Sequence, residues 1–385
     1  MISITDKKDC CGCSACVQRC PKQCISMKED EEGFLYPVVD TAHCIDCGLC
    51  EKVCPVIHQD APREPKRVYA AKNPDDSIRM SSSSGGVFTL LAEQVIARGG
   101  VVFGARFDER WEVVHDYTET TDGLAAFRSS KYIQSRIAGA YIRAEAFLKQ
   151  GRQVLFSGTP CQIAGLHRFL RKAYDNLLTV DVVCHSVPSP GIWRRYLAEK
   201  ITASGNSLSQ VSSVSFRDKS NSWKRYDVVV TLKDGSSHRE PSGKNVFMRG
   251  FLNDLYTRPS CSSCPAKKGK SGSDLTLGDF WGIESLMPGF DDDRGVSVVL
   301  VNTGQGKAEL DTLNLDYRTA SYEDVVLRNP AINHSVPISK WRSVFYTGTD
   351  KSIKERVEKL CIRPFWQRCV RLVYRLVRKT GLLNK

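Results

Sequence analysis

The sequence predicts a mixed α/β body (α/β or α+β, built on a mixed sheet) preceded by a small cysteine-rich domain. Three observations predict it. Eight of the cysteines in the first 54 residues fall in two runs of identical spacing. From Val68 onward, helix-period segments alternate with β-rich apolar runs, the pattern of a sheet covered by helices. Between the two regions lies HQDAPREPKR, a polar stretch with Pro62 and Pro65 and the composition of a linker. A chain of 385 residues has room for two or three domains at about 100–200 residues each. The expected division is 1–58 for the cysteine-rich domain, 59–67 for the linker, 68–345 for the body and 346–385 for a basic tail.

The N-terminal runs are Cys10, Cys13, Cys16 and Cys20 followed by Pro21, and Cys44, Cys47, Cys50 and Cys54 followed by Pro55. Both read C-x2-C-x2-C-x3-C-P. In this bacterial ferredoxin pattern three close thiolates hold three corners of a 4Fe-4S cube, and the fourth cysteine serves the other cube. One cluster is therefore assigned to Cys10, Cys13, Cys16 and Cys54, the other to Cys44, Cys47, Cys50 and Cys20. Zinc knuckles need two separated pairs, and a triplet plus a Pro-flanked fourth cysteine, occurring twice, does not supply them. Cys11 and Cys24 fall outside the pattern and read as packed thiols. Between the runs, GFLYPVVD reads as a short strand over the clusters.

In the body, helical periodicity marks residues 87–98, 140–149, 160–172 and 190–203, and apolar β-rich runs mark 100–106, 154–157, 178–184, 225–232 and 296–302. Three features there carry chemistry. Ser81-Ser82-Ser83-Ser84-Gly85-Gly86 runs into a helix, where free N–H groups and the helix dipole favour an anion; plain N-capping is the alternative. Cys161 opens a helix after a strand and Cys184 ends a strand, so both belong at the carboxyl edge of the sheet, where α/β proteins place ligands. The loop containing Cys261 and Cys264 would complete four thiolates. On spacing alone a cluster, a zinc site, a redox-active Cys261/Cys264 pair and inert buried thiols all remain open. Ser130-Lys131-Tyr132 places a cation and an aromatic beside the 87–106 unit, or else a solvated lysine and a core tyrosine.

The series SSSSGGVF, SSKYIQS, VLFSGTPCQIAGL, LLTVDVVCHSVPSP, FMRGFLNDLYTRPSCSSC and SDLTLGDFWGIE resembles the coenzyme F420 hydrogenase/dehydrogenase beta-subunit family, in its bacterial type with an N-terminal ferredoxin domain. The resemblance spans roughly residues 68–305 and implies an FAD site lined by Ser83, Ser84, Gly85, Gly86, Lys131, Tyr132, Gly158 and Thr159. It also implies a third 4Fe-4S cluster on Cys161, Cys184, Cys261 and Cys264. Asp279 and Trp281, in LGDFW, receive no role from it. The implied activity is that of an FAD-dependent iron–sulfur oxidoreductase with an unidentified small-molecule substrate; the association of such versions with surface-polysaccharide gene sets names none. The alternatives are an electron-transfer subunit serving a partner enzyme and a coenzyme F420-dependent oxidoreductase. The expected partner is a one-electron donor such as ferredoxin, or a partner redox subunit.

The net charge of +12 sits mostly at the C-terminus: residues 351–385 hold eleven Lys or Arg against two acids, Glu355 and Glu358. No basic stripe with aromatics crosses a domain, so no nucleic-acid partner is expected. No apolar run approaches the roughly 20 residues of a membrane span and the N-terminus lacks the apolar core of a secretory signal, so the expected location is cytoplasmic. In residues 365–379, Arg368, Arg371, Arg375 and Arg378 form one helical stripe opposite Trp366, Val370, Val373 and Val377. That arrangement suits an anionic membrane surface, a helix docked on the body, or a protein partner.

Overall fold

A computed structural model of the chain describes residues 1–348 and 350–361; the amphipathic stretch 365–379 lies outside them. Thirteen strands occur among the described residues. The N-terminal region holds β1 (Ile25–Glu29) and β2 (Leu35–Val39) as an antiparallel pair, so the expected strand in GFLYPVVD has a partner. The body contains β3 (Arg67–Lys72), β4 (Val101–Phe107), β5 (Val113–Thr118), β6 (Val154–Gly158), β7 (Leu177–Val182), β8 (Val211–Asp218), β9 (Asp227–Leu232), β10 (Ser237–Pro241), β11 (Leu275–Asp279), β12 (Ser297–Val301) and β13 (Asp316–Thr319).

Eight of these form one mixed sheet in the order β13-β3-β12-β11-β7-β6-β4-β5. Its centre, β4, β6, β7 and β11, is parallel, and antiparallel strands close it on both sides. The central segments VLF, LLTVD and SVVLV are continuously buried, as expected of strands covered on both faces. β8, β9 and β10 make a separate three-stranded antiparallel sheet, so the apolar run at 225–232 belongs outside the main one.

The helix starts are written locally. Thr159 caps the helix Pro160–Leu170 through a reciprocal box with Gln162, and Pro160 takes the first position, where its missing N–H costs nothing. Ser189 Oγ accepts the Ile192 N–H at 3.1 Å and Pro190 takes the first position of the helix Pro190–Ala203. These caps fix where the chain leaves β6 and where it turns after β7.

The cysteine-rich region is packed onto the body. Cys11, Cys13, Ala15 and Val53 share one buried cluster with Phe103, Tyr141, Phe156, Ile163 and Leu166. Residues 59–67, expected as a linker, are pinned: Arg63 donates from its backbone N to the Lys268 carbonyl at 2.9 Å and from Nε to the Gly269 carbonyl at 3.1 Å. At the other end, the helix Ile353–Leu360 buries Ile353 and Val357 against the helices Pro190–Ala203 and Val246–Leu252. The packed body therefore runs past residue 345, to a helix that Ser352 and Glu355 start with their own capping box.

Candidate functional site

Four sites follow one another through the molecule. In the ferredoxin-like region, Cys20, Cys44, Cys47 and Cys50 line one cavity together with Cys24. Cys10, Cys13, Cys16 and Cys54 line a second, with Cys11 beside them. The fourth cysteine of each run thus lies with the other run's triplet. Cys47 is exposed, whereas Cys13 is buried against the body. Cys24 is buried with its Sγ 3.4 Å from that of Cys20.

A third thiol group lies between the ferredoxin-like region and the sheet. Cys161 sits in the first turn of the helix after β6, Cys184 just beyond β7, and Cys261 and Cys264 in and just after the short turn Pro259–Ser263. Each is close enough to the others for their charges to interact. Burial, with Cys161 and Cys264 nearby, pushes the Cys184 thiol up to about 12; burial, with Cys161, pushes Cys264 up to about 11. Cys261 is driven up chiefly by burial, and Cys161 first by its hydrogen bond with Cys11 and then by burial. Four half-buried thiols do not readily ionise together next to one another unless a metal supplies compensating positive charge, and binding that metal releases protons. Among the described residues, no three His, Cys, Asp or Glu side chains converge tightly enough to hold a single metal ion. Soft thiolate sets of this kind suit iron–sulfur clusters.

The fourth site is a cavity of about 710 Å³ at the carboxyl ends of β6, β7 and β11, within the range of cofactor sites. Ser83, Ser84, Gly86, Lys131, Tyr132, Gly158 and Thr159 line it, and so does Cys184 of the third thiol group. Gly85 does not. A Cβ there would lie 2.3 Å from the Ala71 carbonyl and 2.7 Å from the Ser297 nitrogen, so Gly85 faces strands β3 and β12. The expectation that it opens the backbone to a ligand is corrected: its lack of a side chain serves loop-on-sheet packing. Gly86 caps the helix Val87–Ala97 with φ +78°, and its Cβ direction points at Asn73.

Side chains hold the serine loop in place. Ser83 Oγ lies 2.7 Å from Ser130 Oγ and accepts the Ser130 N–H. Buried Lys219 donates to the carbonyls of Arg79, Ser84 and Arg294. Lys131 donates to the carbonyls of Arg128 and Ser129 at 2.9 and 3.3 Å, and burial pushes it down to about 7. His115 is buried between the Ser157 carbonyl and Ser135 Oγ, and burial pushes it down to about 4, so it is neutral.

Sequence reasoning missed a buried charge in the cavity wall. Arg217, fully buried, pairs with Asp279 at 2.9 Å, donates to Tyr132 Oη at 3.3 Å and to the Ser83 carbonyl at 3.1 Å, and lies 4.0 Å over the Tyr226 ring. Its Nε has no partner. Nothing around SFRDKS separates this arginine from a surface one. Asp279 now has a structural role as its counter-ion, and Trp281 lines the cavity while stacking on Trp223 at 5.2 Å.

The thiol sets and their order define an iron–sulfur electron-transfer protein. Comparison with known proteins agrees. Residues 151–321 match the family described as coenzyme F420 hydrogenase/dehydrogenase, C terminus of the beta subunit, and residues 9–57 match a 4Fe-4S dicluster domain. Residues 151–321 therefore carry the C-terminal domain of that beta-subunit family, behind an N-terminal dicluster ferredoxin domain. It is 23% identical over 283 residues to a subunit of F420H2 dehydrogenase from Methanosarcina mazei, covering 66% of this chain and 71% of that protein. It is 42% identical over 65 residues to a 7Fe ferredoxin of Hydrogenibacillus schlegelii, covering 16% of this chain and 77% of that one. A chain of the F420-reducing NiFe hydrogenase complex from Methanosarcina barkeri superposes with a TM-score of 0.46 at 15% identity, covering 77% of this chain and 98% of that one.

Proposed function

We propose that this chain is an FAD-dependent iron–sulfur oxidoreductase that carries electrons between an external one-electron partner and a small-molecule substrate. The observation that supports it is the position of two cysteines. Cys184 belongs both to the third thiol group and to the wall of the large cavity, and Cys161 touches Cys11 beside the inner ferredoxin set. When bound, 4Fe-4S clusters exchange single electrons and a flavin exchanges one or two, so together they join one-electron to hydride chemistry.

Cys161, Cys184, Cys261 and Cys264 would hold the third cluster. In the cavity, Ser83, Ser84 and the backbone at Gly86 offer hydrogen bonds at a helix start, suited to the FAD pyrophosphate. Lys131 adds a donor there, and Gly158, Thr159 and Tyr132 bound the space. Buried Arg217, charge-balanced by Asp279, gives the pocket wall a fixed hydrogen-bond donor. Exposed Cys47 marks the face for the one-electron partner. A second reading is favoured by the Methanosarcina mazei relative, which is named a subunit: the electrons pass to a partner enzyme, with coenzyme F420 or another carrier at the flavin.

The test is composition followed by turnover. Anaerobically reconstituted protein is expected to hold about twelve irons, little zinc and FAD. Cys264→Ser should lower iron to about eight and leave the flavin in place. A count near eight that Cys264→Ser does not change would remove the third cluster, and protein without flavin would remove the enzyme reading. Substrate turnover with a chemical reductant alone supports the enzyme; turnover only after a partner is added supports the subunit.

A further inference from the structure

The ferredoxin region is a repeat in sequence, but its two thiol sets have different surroundings. The guanidinium of Arg258 is shut into the inner one: the side chain is fully buried, and no carboxylate pairs with it among the described residues. Its Nε donates to the Cys10 carbonyl at 2.8 Å, Nη1 to Gln134 Oε1 at 2.9 Å, and Nη2 to the Leu35 carbonyl at 2.9 Å and to Cys10 Sγ at 3.5 Å. The group lies 4.3 Å over the Tyr36 ring and 5.4 Å over Phe34. The ferredoxin loop closes around it so tightly that a Cβ on Gly12 would come within 2.8 Å of Nη1.

A buried cation without an anion is strongly unfavourable. The ionisable groups around Arg258 are Cys10, Tyr36, Cys11 and, from the body, Cys261, and of these the thiols become anionic once they bind metal. A cube bound by four thiolates carries net negative charge, so the cation and the inner site compensate each other. Among the described residues the outer set has no buried cation; the exposed N-terminal ammonium and Lys22 line its cavity. Its sulfurs receive backbone N–H groups, from Ile2 to Cys50 at 3.2 Å and from Asp46 to Cys44 at 3.4 Å, and Cys47 faces solvent.

We propose that Arg258 is the counter-cation of the inner set Cys10, Cys13, Cys16 and Cys54, and that it sets the reduction potential there. Reduction adds one electron with no bond made or broken, so the site gains one negative charge. A buried cation hydrogen-bonded to a ligand sulfur stabilises that charge and raises the potential. The role is positional, exerted through Cys10 and the local field. It needs the dicluster domain but neither FAD nor the third cluster, so it stands or falls separately from the flavin reading.

The experiment is a potentiometric titration of the full reconstituted chain, followed by electron paramagnetic resonance, with Arg258→Gln and Arg258→Lys. In Arg258→Gln the inner signal's reduction equilibrium is expected to fall about tenfold or more, which is 59 mV for one electron. The outer signal should not move, and Arg258→Lys should recover most of the shift because it keeps the charge. Unmoved potentials, or both signals shifted alike, overturn the proposal. If Arg258→Gln fails to hold iron, the iron content of Arg258→Lys decides. Recovery in the lysine variant supports a charge role, and equal loss in both shows that only the shape of the guanidinium mattered.

Discussion

Gly85 and Gly86 are adjacent in sequence, yet replacing each with alanine should have very different consequences. At Gly85 the new Cβ meets backbone, 2.3 Å from the Ala71 carbonyl on β3 and 2.7 Å from the Ser297 nitrogen on β12. Neither atom can retreat without distorting the sheet, so the serine loop must lift. Lifting loosens the Gly85 N–H bond to Ser297 Oγ (2.9 Å), the Asn73 N–H bond to the Gly85 carbonyl (2.7 Å) and the Ser84 Oγ bond to the Val296 carbonyl (2.6 Å). Overpacking costs about 1–3 kcal/mol and each of the three buried hydrogen bonds about 1 kcal/mol, which gives about 4–6 kcal/mol for Gly85→Ala. Gly86→Ala comes tight only on Asn73 Cβ at 3.2 Å, with Ile78 and Ser82 at 3.5 Å, and carries mainly the left-handed backbone penalty, about 1–2 kcal/mol. The gap of at least about 2 kcal/mol is more than tenfold in the folded-to-unfolded ratio. Urea unfolding of the two single variants measures it. Neither Cβ direction enters the cavity, so Gly86→Ala should still load flavin, and Gly85→Ala should lose flavin only as far as it unfolds. Equal stability of the two variants, or a Gly85→Ala protein as stable as the parent, would refute the reasoning.

Three further outcomes are expected. Asp279→Asn leaves the Arg217 guanidinium buried beside the cavity without its carboxylate, a loss of about 3–5 kcal/mol for a broken buried pair; urea unfolding should show it, and show it much reduced in an Arg217→Met background. Lys131 titrates near 7 in the folded chain and near 10.5 when unfolded, so between those values the unfolded chain binds the extra proton. The Lys131 contribution to stability therefore rises with pH across about 7–10.5, and unfolding curves of Lys131→Met at pH 7 and 9.5 should lack that rise. In the C-terminal segment, changing Arg368, Arg371, Arg375 and Arg378 to Gln should remove up to about 4 kcal/mol of attraction to anionic vesicles, at about 1 kcal/mol per basic residue. Equal, negligible pelleting of the parent chain with anionic and neutral vesicles at low salt would exclude the membrane role.

Where the sequence carried its own punctuation, the fold was legible. The helices at 140–149 and 190–203 have the bounds that their periodicity predicts, and Thr159-Pro160 and Ser189-Pro190 start their helices where capping chemistry requires. Weakly patterned elements escaped: β5, whose apolar run is broken by His115 and Asp116, and β13, an edge strand exposed along its whole length. Thiol sets could be grouped from spacing because the ferredoxin pattern encodes neighbours within a few residues. Contacts between distant segments have no such record. Arg217 and Asp279 are 62 positions apart, and Arg258 and Cys10 are 248 apart. The two cysteine runs are equivalent as sequence, and any local reading must give their sites the same properties. What makes them unequal is the body: it buries Cys13, leaves Cys47 in solvent and sends one guanidinium to the inner set and none to the outer. A difference in potential between the two clusters, and with it any preferred direction of electron flow, is therefore specified outside the motif that binds them.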